Sequence, residues 1–240
     1  MLSTEGVVLK SLKYGDTSLI IHVFTHKYGV LPIMVKGVRK NLKGSANILN
    51  PGSYLSCLIN YNAQRNFQYF KEYKSAAVFW NIHADITKHC VFIFCIEILG
   101  EILVQGDEQP ELFDFAISFF SALDEAEIGT FNNYPFYFLG QIAEFLGYTF
   151  DSNYSYQNCF FNVFTGTFES SPSVMQPVIG ADHSRLLHEL MQSDLTTISS
   201  IKIKGVDRQA LQDIIIQYLQ IHTPYFKKIH SLEVLRAILN

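Results

Sequence analysis

The sequence predicts an α+β chain: a β-rich domain of five short strands over residues 1–80, then an α-helical domain over 81–240. Three observations predict it. Runs rich in β-branched and aromatic residues, separated by turn residues, fill the first part. Helical periodicity takes over beyond residue 78. The charge changes sign at the same place. Residues 1–80 hold ten basic and three acidic side chains, a net of +7, whereas residues 81–240 hold eight and nineteen, a net of −11. The whole-chain figure of −4 hides this asymmetry. A basic segment joined to an acidic one is a hint of nucleic-acid contact by the basic part. A chance split, or a basic face docked on the acidic half of the chain, is the plainer alternative.

The elements follow in order. Residues 5–14 (EGVVLKSLKY) alternate loosely and end at Gly15-Asp16. Residues 18–25 (SLIIHVFT) form a second strand, and His26-Lys27-Tyr28-Gly29 turns it into a third at 30–36. Residues 37–52 are rich in Gly, Asn and Lys and read as a loop, with room for a short helical turn. Residues 54–61 and 67–73 supply two more strands. Five short strands in this length suggest a small closed barrel, for which OB-type topology is one solution.

Residues 86–104 are apolar on nearly every face, as a buried central helix requires. Residues 111–124 and 135–147 are amphipathic, the second framed by Pro135 and Gly147. Residues 148–178 break the period with aromatic alternation, Gly166 and two prolines, and read as an irregular insertion or small hairpin. Helices resume at 183–191 and 207–221, and Ser231 caps a last one at 232–239.

Several classes fall at once. Glu5, Lys10 and Lys13 interrupt any secretory apolar run at the start. The most apolar stretch, 90–104, carries Glu97 and Glu101 and is shorter than the roughly 20 residues of a membrane span. Four cysteines (Cys57, Cys90, Cys95 and Cys159) read as reduced thiols, so the expectation is a cytoplasmic chain. No G-x-x-x-x-G-K-[ST], G-x-G-x-x-G, G-x-S-x-G or H-E-x-x-H occurs.

The candidate phosphate-binding residues are Lys36, Arg39, Lys40 and Lys43, four cations in eight positions, with Arg65, Lys71 and Lys74 around the last hairpin. Long basic side chains follow a repeating backbone charge without reading bases. Lys10 and Lys13 are weaker candidates. A solvated, solubilising loop is the bland alternative. Tyr14, Tyr28, Tyr54, Tyr61, Tyr69 and Tyr73 are possible stacking platforms, although most aromatics of so small a barrel must fill its core. Cys90 and Cys95, with His83 and His89 nearby, tempt a metal reading. Five-residue spacing sets the two thiols about 140° apart on a helix, so buried thiols are the better account. Glu97 and Glu101 share a face but lack an accompanying nucleophile, and read as a solvated or domain-facing pair.

Two terminal stretches then match a known pattern. TEGVVLKSLKYGDTSLIIHVFTHKYG followed by VLPIMVKGVRK, and GVDRQALQDIIIQYLQIHTPYFKKIHSLEVL at the other end, resemble the RecO family of bacterial recombination mediators in DNA repair. The resemblance covers essentially the whole chain. It implies an N-terminal OB-fold barrel and an α-helical domain. It also implies a non-enzymatic DNA-binding role: binding single- and double-stranded DNA, annealing strands, and acting with RecR to load RecA onto strands coated by SSB. The acidic, apolar SSB tail would then need cations in the helical domain, where Arg185, Lys202, Lys204 and Arg208 are candidates. Such a protein is cytoplasmic and nucleoid-associated, with neither cofactor nor membrane partner. Many family members carry zinc on cysteine pairs in the region equivalent to 150–175. Here that region has only Cys159, so the expectation is no zinc, with Tyr154, Tyr156, Phe160, Phe161, Phe164 and Phe168 packing in its place. Two other readings stay open: an adaptor that binds protein alone, and a hydrolase working in the aromatic region 154–168.

Overall fold

The computed structural model describes residues 1–40, 47–150, 152–172 and 178–239. Strands β1 (Leu2–Tyr14), β2 (Ser18–Thr25), β3 (Gly29–Val35), β4 (Tyr54–Asn60) and β5 (Tyr69–Ala77) form one antiparallel sheet ordered β3-β2-β1-β4-β5. β1 is long enough to pair with β4 through its first half and with β2 through its second, and an irregularity between Val8 and Lys10 bends it. The two sheet edges come together at Gln68. Its N–H donates to Pro32 O at 2.8 Å, and its carbonyl accepts from Met34 N–H at 2.9 Å. The result is OB-like. Alternate residues such as Val8, Ile21, Val23, Ile33, Leu55 and Ile59 turn inward and are buried, each contributing on the order of 2 kcal/mol by area.

Helices α1 (Trp80–Ala84), α2 (Ile86–Ile102) and α3 (Pro110–Glu125) follow, and α2 and α3 pack against the sheet. Phe113 of α3 packs edge-on against Phe24 of β2, with centroids 5.3 Å apart. Phe92 of α2 lies against Gly52, which has no side chain to obstruct it. Asp85 starts α2 by accepting from Thr87 N–H at 2.8 Å and Lys88 N–H at 2.9 Å. Strands give way to helices between Ala77 and Trp80, yet compact packing divides the chain later, into Met1–Asp124 and Glu125–Asn240. The difference arises because α2 and α3 pack on the sheet and α1 packs on α2, so the three helices belong with the strands. The α1 turn escaped the sequence reading because five residues are too few to show a period.

The second unit holds α4 (Tyr134–Phe145), α5 (Ala181–Met191), α6 (Gly205–His222) and α7 (Ser231–Leu239). It also holds a small sheet of β6 (Phe160–Asn162), β7 (Thr167–Glu169) and β8 (Val178–Ile179), ordered β7-β6-β8. The irregular insertion is thus a hairpin with one added strand. Ser184 of α5 ties it down, accepting from Phe161 N–H at 2.9 Å and donating to Ile179 O at 3.1 Å. Its aromatic filling is real but differs from the expectation. Phe161 and Phe168 are buried 5.1 Å apart, and Tyr154 stacks on His188 at 4.7 Å. Tyr156, however, is 98% exposed and Phe164 47% exposed, so neither packs there. Phe164 lies in the turn between β6 and β7, and Tyr156 lies in the loop before β6, so neither occupies a paired strand position. The donors do not suit zinc: Cys159 is the region's one thiol, and among the described residues no three His, Cys, Asp or Glu converge. Cys90 and Cys95 are buried, and burial pushes both thiols above their ordinary range. No described helix is long and apolar enough to cross a membrane.

Candidate nucleic-acid interface

The loop between β4 and β5 is built on Gln68, buried to 4% exposure. Its side-chain oxygen accepts from Asn62 N–H at 2.7 Å, and its amide donates to Asn62 O at 3.1 Å and Arg65 O at 3.3 Å. These bonds hold the loop against the start of β5. Arg65 and Tyr69 are thereby fixed together, with the guanidinium carbon 5.9 Å from the tyrosine ring centroid. Lys36, just past β3, arrives from the other side of the sequence and places its Nζ 5.3 Å from the same ring. Tyr69 is half-buried, and its hydroxyl reaches Met34 Sδ at 3.9 Å. A groove of about 390 Å³ runs beside it, lined by Met34, Lys36, Val38, Tyr69, Phe70 and Tyr73. An aromatic ring with two exposed cations within about 6 Å of its centroid offers a base a stacking partner and phosphates a counter-charge.

Lys71 and Lys74 are exposed and line a second hollow with Ser3, Ser56, Leu58 and Tyr73, where Glu72 stands between them. Tyr73 borders both hollows, so the cations of β5 continue from those around Tyr69. Arg39 has another task. Its Nη1 donates to Gly15 O at 3.0 Å and its N–H to Thr17 O at 3.0 Å, clasping the tip of the β1–β2 hairpin. The backbone of Lys40 ends the short 3-10 turn Val38–Lys40, its side chain lying outside the described set, and Lys43 lies outside the described residues.

The six tyrosines separate clearly. Tyr28 and Tyr73 pack on the barrel core. Tyr54 stacks on Phe79 at 6.4 Å and donates to Glu5, and burial with that bond pushes its pKa well above the phenol range. Tyr14 and Tyr61 are exposed without a flanking ring–cation contact among the described residues. Tyr69 alone of the six carries cations on its ring among the described residues. Nothing local in the sequence could have singled it out, since Lys36 lies 33 positions away and is brought near by the meeting of sheet edges.

In the second unit, Arg185 pairs with Glu189 at 2.6 Å, while Lys202 and Lys204 are exposed before α6. Arg208 lies inside, 6% exposed. Its Nη1 donates to Asn132 O and to Asn133 Oδ1, both at 2.8 Å, and its guanidinium lies 5.8 Å from the Phe136 ring centroid. It holds the fold of the unit and presents little charge to solvent.

Two family models cover the chain: recombination protein O N terminal over residues 1–79 and recombination protein O C terminal over 83–232. Full-length relatives agree. The chain is 25% identical over 240 residues to the DNA repair protein RecO of Christiangramia forsetii, covering 99% of each. It is 26% identical over 236 residues to that of Phocaeicola vulgatus, covering 98% of each. With the RecO of Flavobacterium johnsoniae it shares 28% over 240 residues, 99% of this chain and 98% of the relative. An OB-like sheet, a following set of helices and matches along both parts lead to one conclusion: the chain belongs to the RecO family of DNA repair proteins.

Proposed function

We propose that the chain is a DNA-binding recombination mediator that works without catalysing a covalent step. It binds and anneals DNA through the basic OB-like sheet and, with RecR, helps load RecA onto strands coated by SSB, acting in the cytoplasm at the nucleoid. The observation that carries the DNA reading is the convergence of Lys36 and Arg65 on the Tyr69 ring, with Lys71 and Lys74 farther along β5. Phosphate neutralisation by these cations supplies affinity, and stacking on Tyr69 favours unpaired bases. Lys40 and Lys43, whose side chains lie outside the described set, are proposed as further phosphate contacts from the loop after β3, while Arg39 holds the tip of the β1–β2 hairpin and offers what charge it leaves exposed. The SSB tail meets the exposed Lys202 and Lys204 with Arg185 in the second unit, while Arg208 supports that surface from beneath.

The test is a salt titration of single-strand binding by the full chain. About five phosphate contacts give a log–log slope of roughly −3.5. The triple variant Lys36→Ala, Arg65→Ala, Tyr69→Ala should reduce the slope by about 1.4, from two lost cations, and weaken binding further by loss of stacking. A flat salt response in the parent chain would sink the DNA reading and favour the adaptor that binds protein alone.

A further inference from the structure

The turn between α6 and α7 concentrates local costs. Pro224 ends the helix by lacking an N–H, and Tyr225 follows with φ 63°, the one non-glycine residue at positive φ among those described. The left-handed region costs an L-residue on the order of 1–2 kcal/mol, and persists where surrounding structure or function holds it. Here the side chain returns nothing by packing, since Tyr225 is 95% exposed and has no hydrogen bond or ring contact among the described residues. At the foot of the turn, Thr223 Oγ1 and His222 Nε2 are buried without a hydrogen-bond partner among the described residues. Lys227 and Lys228 follow at once, both exposed and without an ion pair among the described residues.

These two lysines, like Lys202 and Lys204, are exposed cations in an acidic setting, but they alone of the four adjoin a strained, exposed aromatic. Residues 125–240 hold seven basic against eleven acidic side chains. Arg185 and Arg236 are each paired with a carboxylate at 2.6 Å, and Arg208 is internal. A solubilising loop would not need a strained tyrosine projecting beside its cations. A lipid surface would need a broad apolar face, whereas one ring projects here with Phe226 half-buried behind it. An exposed aromatic followed within three positions by two unpaired cations has the chemistry of a single-strand contact: a base on the ring, phosphates on the lysines.

We propose that Tyr225, Lys227 and Lys228 form a second single-stranded nucleic-acid contact, in the helical unit, additional to the one around Tyr69. The proposal rests on the DNA-binding reading given above. With one contact in each unit, a single chain engages a strand at two places or two strands at once, which an annealing protein needs.

The test uses the full chain, a fluorescent deoxythymidine oligonucleotide and three variants: Tyr225→Gly, Lys227→Ala with Lys228→Ala, and the triple variant at Lys36, Arg65 and Tyr69. Glycine accepts positive φ without strain, so Tyr225→Gly should leave Tm unchanged or raised while weakening binding by about fivefold, the lower end of one lost stack. The double lysine variant should lower the salt slope by about 1.4. Unchanged affinity and slope in both loop variants, with binding weakened in the triple variant, overturns this contact and leaves the DNA-binding reading standing. No loss in any variant overturns both. Retained DNA affinity with lost sedimentation on phosphatidylglycerol vesicles overturns it in favour of a membrane contact.

Discussion

Asn133 is a buried polar side chain that bonds three segments of the second unit, and its replacement by Ala makes a sharp test of how that unit is held. The residue is 3% exposed. Its Nδ2 donates to Ile198 O at 2.9 Å and Ile201 O at 2.8 Å, and its Oδ1 accepts from Arg208 Nη1 at 2.8 Å. It therefore joins the start of α4, the 3-10 turn at Ile198–Ser200 and the first turn of α6. Two neutral bonds contribute about 1 kcal/mol each, and the bond to a cation about 1.5–3, so Asn133→Ala should cost about 4 kcal/mol. Against a total stability of about 5–15 kcal/mol, that loss is large. Urea unfolding followed by far-ultraviolet circular dichroism reads it as a lower midpoint. Arg208→Met, which keeps an apolar stem beside Phe136, completes a double-mutant cycle with Asn133→Ala. The two sites share a bond, so a coupling of about 1.5–3 kcal/mol is expected. A loss below about 1 kcal/mol for Asn133→Ala, or zero coupling, would refute the reasoning. It would also free Arg208 for the surface role that its sequence position suggested.

Two further expectations follow. Gly52 has φ 87°, and a Cβ there would stand 2.2 Å from Cε1 of the buried Phe92. Gly52→Ala should therefore cost about 3 kcal/mol and roughly 10 °C in Tm, whereas Gly37→Ala, at φ 70° with open space around it, should lose only the strain of about 1 kcal/mol. Equal losses at the two positions would show that packing against Phe92 is not the cause. Burial lowers the pKa of His22, His89 and His188 from 6.5, helped at His22 by Lys10 and at His89 by His83, and partly opposed at His188 by Glu189. A lowered value means the unfolded chain binds more protons below 6.5. Stability should be full above that pH and fall as pH drops through it, seen as a lower Tm at about pH 5.5 than at about 7.5. Equal values at both would contradict the burial of these rings.

Much of the fold was legible because it is written in local periods. The run SLIIHVFT is β2 to the residue, since β-branched and aromatic side chains bounded by a turn leave little other choice. Pro135 and Gly147 marked the ends of α4 through backbone limits that hold in any context. The charge asymmetry was likewise a matter of counting, and it directed attention to the barrel. The candidate site was legible only as a set of residue types. Six tyrosines were equivalent in sequence, and four cations between 36 and 43 outweighed Arg65.

The sequence by itself determined the α+β order, the main strand and helix positions apart from α1 and the small sheet β6–β8, the basic first part and the resemblance to the family to which the chain belongs. Tertiary structure alone decided which side chains meet. The closure of the sheet at Gln68 brings Lys36 and Arg65 to one ring, Arg39 turns to the hairpin tip, and α2 and α3 pack on the sheet. Packing around α6 takes Arg208 into the interior, while Tyr156 stays in solvent despite its aromatic neighbours. The physical reason is one of range. A period of 2.0 or 3.6 states which face of an element turns inward, but it carries no information about the element that face will meet.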